Sequence, residues 1–184
     1  KLADFGLAGI LDPKKQNLLF DACGTPGYVA PEVLEGKAYN EGVDCWALGV
    51  ITYILLCGFP PFYNDSNAQL YAAIKECKYQ FIRPYWDGVS DDAKDLIRNL
   101  MCRQKQRFSA ADVLKHKWIV GDGPHLLQEL PSVRIELKKF NARRKLKAVC
   151  LFVMVVCVFL CSWTFDLLLL LLLLLLLLLL LLLL

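Results

Sequence analysis

Residues 43 to 57 form an apolar run that constrains the fold more than any other feature of this chain. Wound into a helix, the run would have apolar side chains on every side, which is typical of a helix buried inside a domain. Gly58, Pro60 and Pro61 follow it and would end that helix. The sequence therefore predicts a mostly helical domain built around this core segment.

Further helices are predicted on the C-terminal side of the core helix. Ser66, with Gln69 three residues later, is typical of a capping-box start, and that helix should run to about Lys78. Two more helices should begin near Ser90 and at Ser109. Their apolar residues fall at helical spacing: Ala93, Leu96, Ile97 and Leu100 in the first, and Val113, Leu114 and Trp118 in the second.

Composition divides the chain into two parts. Residues 1 to about 125 have the mixed composition of a soluble globular domain, whereas residues 148 to 184 are almost entirely apolar. The net charge of +3 is too small to indicate a nucleic-acid partner, and none is expected. The eight cysteines include no Cys-x-x-Cys pair typical of metal sites, which favours a reducing, cytosolic compartment.

Three short motifs occur in order up to the start of the core helix. Asp4-Phe5-Gly6 follows residues 1–3, which should finish a strand, and a long loop is predicted from Gly6 to Phe20. Gly-Thr-Pro-Gly-Tyr-Val-Ala-Pro-Glu occupies residues 24–32, and Asp-x-Trp-x-x-Gly occupies residues 44–49. An aspartate before a turn is commonly a local hydrogen-bond acceptor, so the first motif alone is weak. In this order the three motifs are a strong signal.

These motifs resemble those of the C-terminal lobe of protein serine/threonine kinases. The chain is most similar to the calcium/calmodulin-dependent protein kinases, through residues 22–34, 43–46 and 53–63, and the resemblance covers about residues 1–122. It implies a mainly α fold, a kinase C-terminal lobe without the N-terminal lobe, followed by a C-terminal hydrophobic helix. The implied reaction is transfer of the γ-phosphate of ATP to serine or threonine of protein substrates.

The resemblance also implies where the cofactor and the catalytic loop would be contacted. Asp4, Phe5 and Gly6 would lie at the ATP site, with Asp4 as the ligand of Mg²⁺ and Gly6 turning the backbone so that the carboxylate faces the cleft. Thr25 would be the catalytic-site residue that contacts the catalytic loop. Residues 4–32 correspond to the family's activation segment, the name used for them below.

Substrate and scaffold roles are implied in the same way. Three residues would form a shelf for the protein substrate: Gly24, Gly27 and Tyr28. Glu32 would pair with Arg107 as a buried structural ion pair. Asp44 has two interpretations: it would anchor the backbone of the catalytic loop, or it would simply favour the dipole at a helix start.

Several parts of the family pattern do not occur in these 184 residues, namely a glycine-rich phosphate loop, a strand lysine with its glutamate partner, and a His-Arg-Asp loop. Since Lys1 already lies within an expected strand, the chain is predicted to be a fragment. Without a nucleotide cradle and a base it is predicted to transfer no phosphate by itself.

Asp21 occupies the place where calmodulin-regulated members often carry an activating threonine. Its carboxylate would supply a fixed negative charge in place of a phosphate, or Asp21 would be a neutral replacement in a loop that is never phosphorylated. The sequence leaves both alternatives open.

Residues 123–147 form a predicted regulatory segment. Its stretch 137–147 is similar to the autoinhibitory and calmodulin-binding region of the multifunctional kinases, and calmodulin takes basic amphipathic helices. A solvated basic face, or the cytosolic flank of a membrane span, are the alternatives. The expected calmodulin contacts are Phe140, Arg143, Arg144, Lys145, Leu146 and Lys147.

The tail, residues 148–184, has two interpretations. Its first apolar run, residues 148–165, is 18 residues long, enough for a membrane helix that would tether a cytoplasmic kinase lobe. Leucine alone fills residues 167–184, as a translated simple repeat or intron would. A second class of function also stays open: a non-catalytic module that binds calmodulin or a kinase, with or without a membrane tether.

Overall fold

The computed structural model describes residues 5–121 and 133–146, and the predicted strand end at residues 1–3 lies outside them. Within these ranges the chain is mainly helical, as predicted, and forms no extended strand. A single antiparallel bridge in the described part joins Leu19 and Tyr39. The helices of residues 5–121 are α1 (Pro31–Leu34), α2 (Gly42–Cys57), α3 (Asn67–Lys75), α4 (Asp91–Leu100), α5 (Ala110–Lys115) and α6 (Lys117–Val120).

Helix α2 is the core helix that the apolar run predicts. Its residues Trp46, Val50, Tyr53 and Cys57 are buried. Gly58 ends the helix with a φ of 95°, a conformation that favours glycine, and its N–H donates to the carbonyl of Ile54 at 2.7 Å. The predicted bounds of this helix are therefore correct to within one residue.

One face of α2 is open, and here the expectation of burial on every side is wrong for the described residues. Leu48, Ile51 and Leu55 are exposed, Leu55 by 59%. Their spacing of three and four residues places them on one helix face. We call these three side chains the exposed stripe; it arises because α4 packs against α2 on a different side, where a Cβ on Gly49 would lie 2.8 Å from the Cβ of Leu100.

Helix α4 follows the prediction closely. The Ser90 hydroxyl accepts a hydrogen bond from the Ala93 N–H at 3.3 Å and so caps the helix. The four apolar residues predicted at helical spacing are all buried: Ala93, Leu96, Ile97 and Leu100.

Helix α3 begins after Ser66, as predicted, but without the capping box, and it ends earlier than predicted. Ser66 precedes it, but its side chain makes no capping hydrogen bond. A capping box would need the Ser66 N–H, which instead donates to Oδ1 of Asn64 at 2.9 Å. The helix ends at Lys75 rather than Lys78, because Cys77 has a φ of 52° and cannot continue it.

The segment after Ser109 begins as predicted but does not form one helix. Ser109 and Asp112 form a reciprocal capping box at the start of α5. His116 then interrupts the helix: its Nδ1 accepts from the Trp118 N–H at 3.2 Å and caps α6. Of the apolar residues noted at helical spacing here, Val113 is buried and Leu114 is 68% exposed.

An aromatic cluster surrounds Tyr53 of α2. The ring of Trp86 lies 4.7 Å from the Tyr53 ring, measured between centroids. The Tyr53 hydroxyl donates to the backbone carbonyl of Gln80 at 2.6 Å, and burial raises the pKa of this tyrosine. Nearby, burial raises the pKa of the Cys57 thiol to about 11, so Cys57 is an uncharged apolar side chain at neutral pH.

Residues 133–146 are helical. On this helix Lys139 pairs with Glu136 at 2.8 Å, and the Arg144 guanidinium lies 5.7 Å from the centre of the Phe140 ring. The hydrophobic tail lies outside the described residues. Across the part of the chain that the structure describes, no helix combines the length and the apolar character needed to cross a membrane.

Candidate functional site

A cavity of about 620 Å³ lies between the activation segment and the start of α2. The sequence had singled out six of the residues that line it: Gly6, Asp21, Gly24, Thr25, Tyr28 and Asp44. Two further predicted residues, Phe5 and Gly27, lie outside the lining, and Phe5 is largely exposed. Residues far apart in the chain thus meet at one wall, although not the whole predicted set.

Gly24 and Thr25 shape that wall through the backbone. Gly24 has a φ of 124°, and a Cβ there would lie 3.1 Å from Cγ2 of Val29, so both conformation and space favour glycine. Thr25 precedes the 3₁₀ turn Pro26–Tyr28, and its carbonyl accepts from the Tyr28 N–H at 2.9 Å. Within residues 5–121 the Thr25 hydroxyl makes no hydrogen bond, and the residue is exposed. It can therefore donate to, or accept from, a group that enters the cavity.

Asp44 lies in the first turn of α2, at the edge of the same cavity. Its carboxylate has no hydrogen-bond or ion-pair partner in the described ranges and is exposed. A carboxylate in the first turn favours the helix dipole, and it is also available to accept hydrogen bonds from another segment. Both interpretations from the sequence remain predictions.

Glu32 and Arg107 form a buried, two-pronged ion pair. The guanidinium Nη1 lies 2.6 Å from Oε1 of Glu32, and Nη2 lies 3.0 Å from Oε2; the two side chains are 1% and 4% exposed. Arg107 also donates to the carbonyls of Gly42 and Cys102 at 2.9 and 3.0 Å. The guanidinium lies 5.2 Å from the ring of Trp46. Arg107 therefore ties the end of the activation segment to α2 and to the chain after α4.

A second, more exposed ion pair lies beside the first. Glu35 accepts from Arg103 at 2.7 Å and pairs with Lys37 at 2.6 Å. The hydrogen bonds from Lys37 and Arg103 hold the pKa of this carboxyl below its ordinary value. Arg103 begins the 3₁₀ turn Gln104–Gln106, so this pair joins α1 to the turn that carries Arg107.

Sequence reasoning missed Tyr39, which contacts the activation segment directly. Its backbone pairs with Leu19 and its hydroxyl donates to the carbonyl of Asp21 at 2.6 Å. No local pattern marks this residue, because its partners lie about twenty positions earlier in the chain. The nearest signal is its place two residues before Glu41 and α2, where a loop tyrosine has a polar end that needs a partner.

The predicted cofactor residues fit ATP and Mg²⁺ only in part. Asp4, the expected metal ligand, lies outside the described residues. No group of three His, Cys, Asp or Glu side chains in the described ranges converges to hold a metal ion. The described residues alone therefore do not build a magnesium site, and no chemical step through the nucleotide is derived from them.

The predicted calmodulin contacts lie on the helix of residues 133–146, except for Lys147, which lies outside the described residues. Arg143, Arg144 and Lys145 are exposed. Phe140 falls three residues after Leu137 and seven after Val133, so the three apolar side chains share one helix face. The segment is thus a basic helix with an apolar face.

Comparison with known proteins gives consistent matches. The sequence model of the protein kinase domain matches residues 1–119. The chain is 48% identical over 147 residues to calcium/calmodulin-dependent protein kinase type 1 of Caenorhabditis elegans, covering 79% of this chain and 41% of the relative. It is 50% identical over 143 residues to type 1B of Homo sapiens, covering 77% and 41%. It is 47% identical over 150 residues to type IV of Homo sapiens, covering 80% and 31%. The chain thus spans less than half the length of these relatives.

Proposed function

Because the chain belongs to the protein kinase family, among the calcium/calmodulin-dependent kinases, we propose that it is the substrate-receiving part of a kinase catalytic domain. The complete enzyme transfers the γ-phosphate of ATP to serine or threonine of protein substrates. The 184 residues alone transfer none, because they contain no glycine-rich loop, strand lysine or His-Arg-Asp loop.

The observation that carries this proposal is the cavity wall built by Gly24, Thr25 and Tyr28 against Asp44. The Thr25 hydroxyl is unpaired within residues 5–121, as a residue that meets a separate catalytic loop should be. The buried ion pair between Arg107 and Glu32 stabilises the end of the activation segment, next to this wall. Phosphoryl transfer depends on positioning, and a rigid wall supplies it for the substrate hydroxyl.

A graft experiment tests the proposal. Residues 1–122 replace the matching residues of a type 1 kinase, and phosphorylation of a serine/threonine peptide is measured. We expect an active graft, loss on the order of a hundredfold in kcat/KM for Thr25→Val, and near-normal activity for Thr25→Ser, which keeps the hydroxyl. A graft that folds but is inactive would contradict the proposal, as would phosphate transfer by the ungrafted chain.

A calmodulin-regulated function is the second part of the proposal, and the helix of residues 133–146 supports it. Calmodulin binds basic helices through apolar anchor residues, and this helix has the partly exposed Leu137 and Phe140 on one face, with exposed cations around them. Val133 lies on the same face but is buried, so it is not counted as an anchor. The free thiols of Cys45, Cys57 and other described cysteines suit the reducing, cytoplasmic compartment in which such regulation operates.

Calmodulin binding is tested by titrating the chain with calcium-loaded calmodulin. Changing Arg143, Arg144 and Lys145 to Gln should weaken binding about tenfold or more, because their charge and hydrogen bonds to calmodulin are lost. The matched control changes three exposed lysines elsewhere to Gln: Lys78, Lys105 and Lys115. Equal weakening by both triple variants would mean that only net charge matters.

The non-catalytic binding module is not favoured by the comparisons. The relatives are named as protein kinases, and the sequence model of the protein kinase domain matches residues 1–119, which include the activation segment and the helices after it. Calmodulin binding by itself fits both classes of function. Only the graft experiment separates them.

A further inference from the structure

Tyr39 is joined to the activation segment by two backbone hydrogen bonds. The Leu19 N–H donates to the Tyr39 carbonyl at 2.8 Å, and the Tyr39 N–H donates to the Leu19 carbonyl at 3.0 Å. These two bonds are the only antiparallel bridge within the described residues. They fasten the middle of a long loop to the short connection between α1 and α2.

A third hydrogen bond comes from the Tyr39 side chain. Its hydroxyl donates to the Asp21 carbonyl at 2.6 Å, while the residue is only 7% exposed. Burial raises the pKa of Tyr39, so the hydroxyl remains protonated and able to donate throughout the neutral range. The bond is only partly buried because Asp21 is exposed, so its contribution should be that of one ordinary hydrogen bond.

Leu19 also contacts the earlier part of the loop, the arm that begins at Gly6. A Cβ on Gly9 would lie 2.6 Å from Cδ1 of Leu19, so the Leu19 side chain rests directly on the Gly9 backbone. Tyr39 therefore holds Leu19, and Leu19 holds the arm that begins at Gly6. The cavity residues Gly6 and Gly24 lie on the two arms fastened in this way.

The Asp21 carboxylate makes no direct contact in this arrangement; its charge acts only at a distance, adding to the effect of burial that raises the pKa of Tyr39. Asp21 is exposed, and its side chain makes no ion pair or hydrogen bond within residues 5–121. Position 21 is held through its main-chain carbonyl, which any amino acid would supply. A negative charge at position 21 therefore has no hydrogen-bond or ion-pair partner in the described part of the chain.

We propose that Tyr39 is a positioning residue that latches the activation segment at Leu19 and Asp21, and that the Asp21 charge is not needed for this. The latch sets the place of residues 23–25, which follow one residue after Asp21 and form part of the cavity wall. That this wall receives a protein substrate rests on the function proposed above; the latch itself does not.

Amide hydrogen exchange in the full chain tests the latch. In Tyr39→Phe the ring remains but the hydroxyl is lost, so exchange at the Leu19 and Tyr39 amides, which donate the two bonds of the bridge, should rise about fivefold, as expected for one hydrogen bond. In Asp21→Asn the same amides should stay within about twofold of wild type, because the carbonyl is unchanged.

Tyr53→Phe is the matched control. It also removes a buried tyrosine hydroxyl that donates to a backbone carbonyl at 2.6 Å, but the partner there is Gln80. Residues 19–25 should exchange as in wild type in this variant. Melting temperatures of all variants separate local release from general loss of stability.

Three results would overturn the latch: unchanged exchange at the Leu19 and Tyr39 amides in Tyr39→Phe, equal acceleration at these amides in Asp21→Asn, or equal acceleration at these amides in Tyr53→Phe. Acceleration of these two amides in Tyr39→Phe alone would support it. An inactive graft would count against the proposed function without touching this result, since exchange is measured without substrate or nucleotide.

Discussion

At the scale of single residues, Arg107 makes the densest set of contacts at the site. Four of its five N–H groups donate to Glu32, Gly42 and Cys102, and the fifth, at Nε, has no partner among the described residues. A guanidinium buried to this degree is favourable only while its partners stay in place. Glu32 depends on it equally, because its carboxylate would otherwise be buried without a counter-charge.

Arg107→Ala should therefore lower the free energy of unfolding by about 3–5 kcal/mol, since it leaves Glu32 as an unpaired buried charge. Urea or thermal unfolding followed by circular dichroism measures this. The control is Arg103→Ala, which breaks the exposed pair with Glu35 and should cost about 1 kcal/mol or less. A melting curve for Arg107→Ala that matches wild type would contradict the role given to the pair.

Glu35 should make stability depend on pH in the acid range. Its pKa is lowered in the folded chain by the bonds from Lys37 and Arg103, so the unfolded chain binds protons first as the pH falls. The contribution is complete above the ordinary glutamate pKa of about 4.3 and is lost as the pH falls through the lower folded value. Unfolding measured across this range should show a flatter profile for Glu35→Gln; an unchanged profile would count against it.

Some site residues could be predicted from the sequence and others could not. Glu32 belongs to the motif of residues 24–32, and the family resemblance implies Arg107 as its partner, so their proximity was expected. Tyr39 pairs with Leu19 through main-chain atoms, which any residue provides, so the contact cannot be predicted from the residue types. The status of Asp44 is open for a similar reason: its partner is not among residues 5–121.

At the scale of secondary structure, hydrogen-bond competition decides where helices start. Ser66 and Ser109 both carry a polar residue three positions later, and the sequence predicts a helix start at each. Only Ser109 has its N–H free for the reciprocal bond, which Asp112 accepts at 3.0 Å. At Ser66 that N–H is already bonded to Asn64.

Ser109→Ala should therefore destabilise the chain by about 1 kcal/mol, the usual value of a helix cap. Ser66→Ala should change it by less than about 0.5 kcal/mol, because its side chain caps nothing. Chemical unfolding of the two variants in parallel measures the difference. Equal losses of stability in the two variants would mean that the capping hydrogen bond of the Ser109 hydroxyl does not stabilise the chain.

The apolar run gave the bounds of α2, and periodicity gave the start and the buried face of α4, because each packs as a continuous helix. Periodicity failed after α5, where the His116 ring bonds to the backbone of Trp118 and to Asp95 of α4 at 3.1 Å. A side chain that replaces the helical hydrogen bonds cannot be detected by counting apolar positions. The predicted single helix is therefore two short ones.

At the scale of the whole molecule, α2 has a buried side and an open one. The sequence could show only that every side is apolar, and burial depends on which other elements are present to cover it. Ile54 and Leu55 are neighbours of similar size on opposite sides of this divide, the first 7% exposed. Substitutions at these two positions compare how much the buried side and the open side of α2 contribute to stability.

Ile54→Ala should lower the free energy of unfolding by about 2–5 kcal/mol because it leaves a cavity in the core. Leu55→Ala should cost less than about 1 kcal/mol, since its side chain is mostly in water. Both are measured by urea unfolding of the full chain. A loss for Leu55→Ala as large as that for Ile54→Ala would show that the stripe is covered in solution.

The exposed stripe can also be detected by the fluorescence of a bound dye. A dye that fluoresces on apolar surfaces should bind along Leu48, Ile51 and Leu55, and the part of its emission that disappears when all three become serine reports this face alone. Any polypeptide that covers α2 would displace the dye and dim that component in proportion. The dye fluorescence therefore measures the binding of any other polypeptide segment to the exposed stripe of α2.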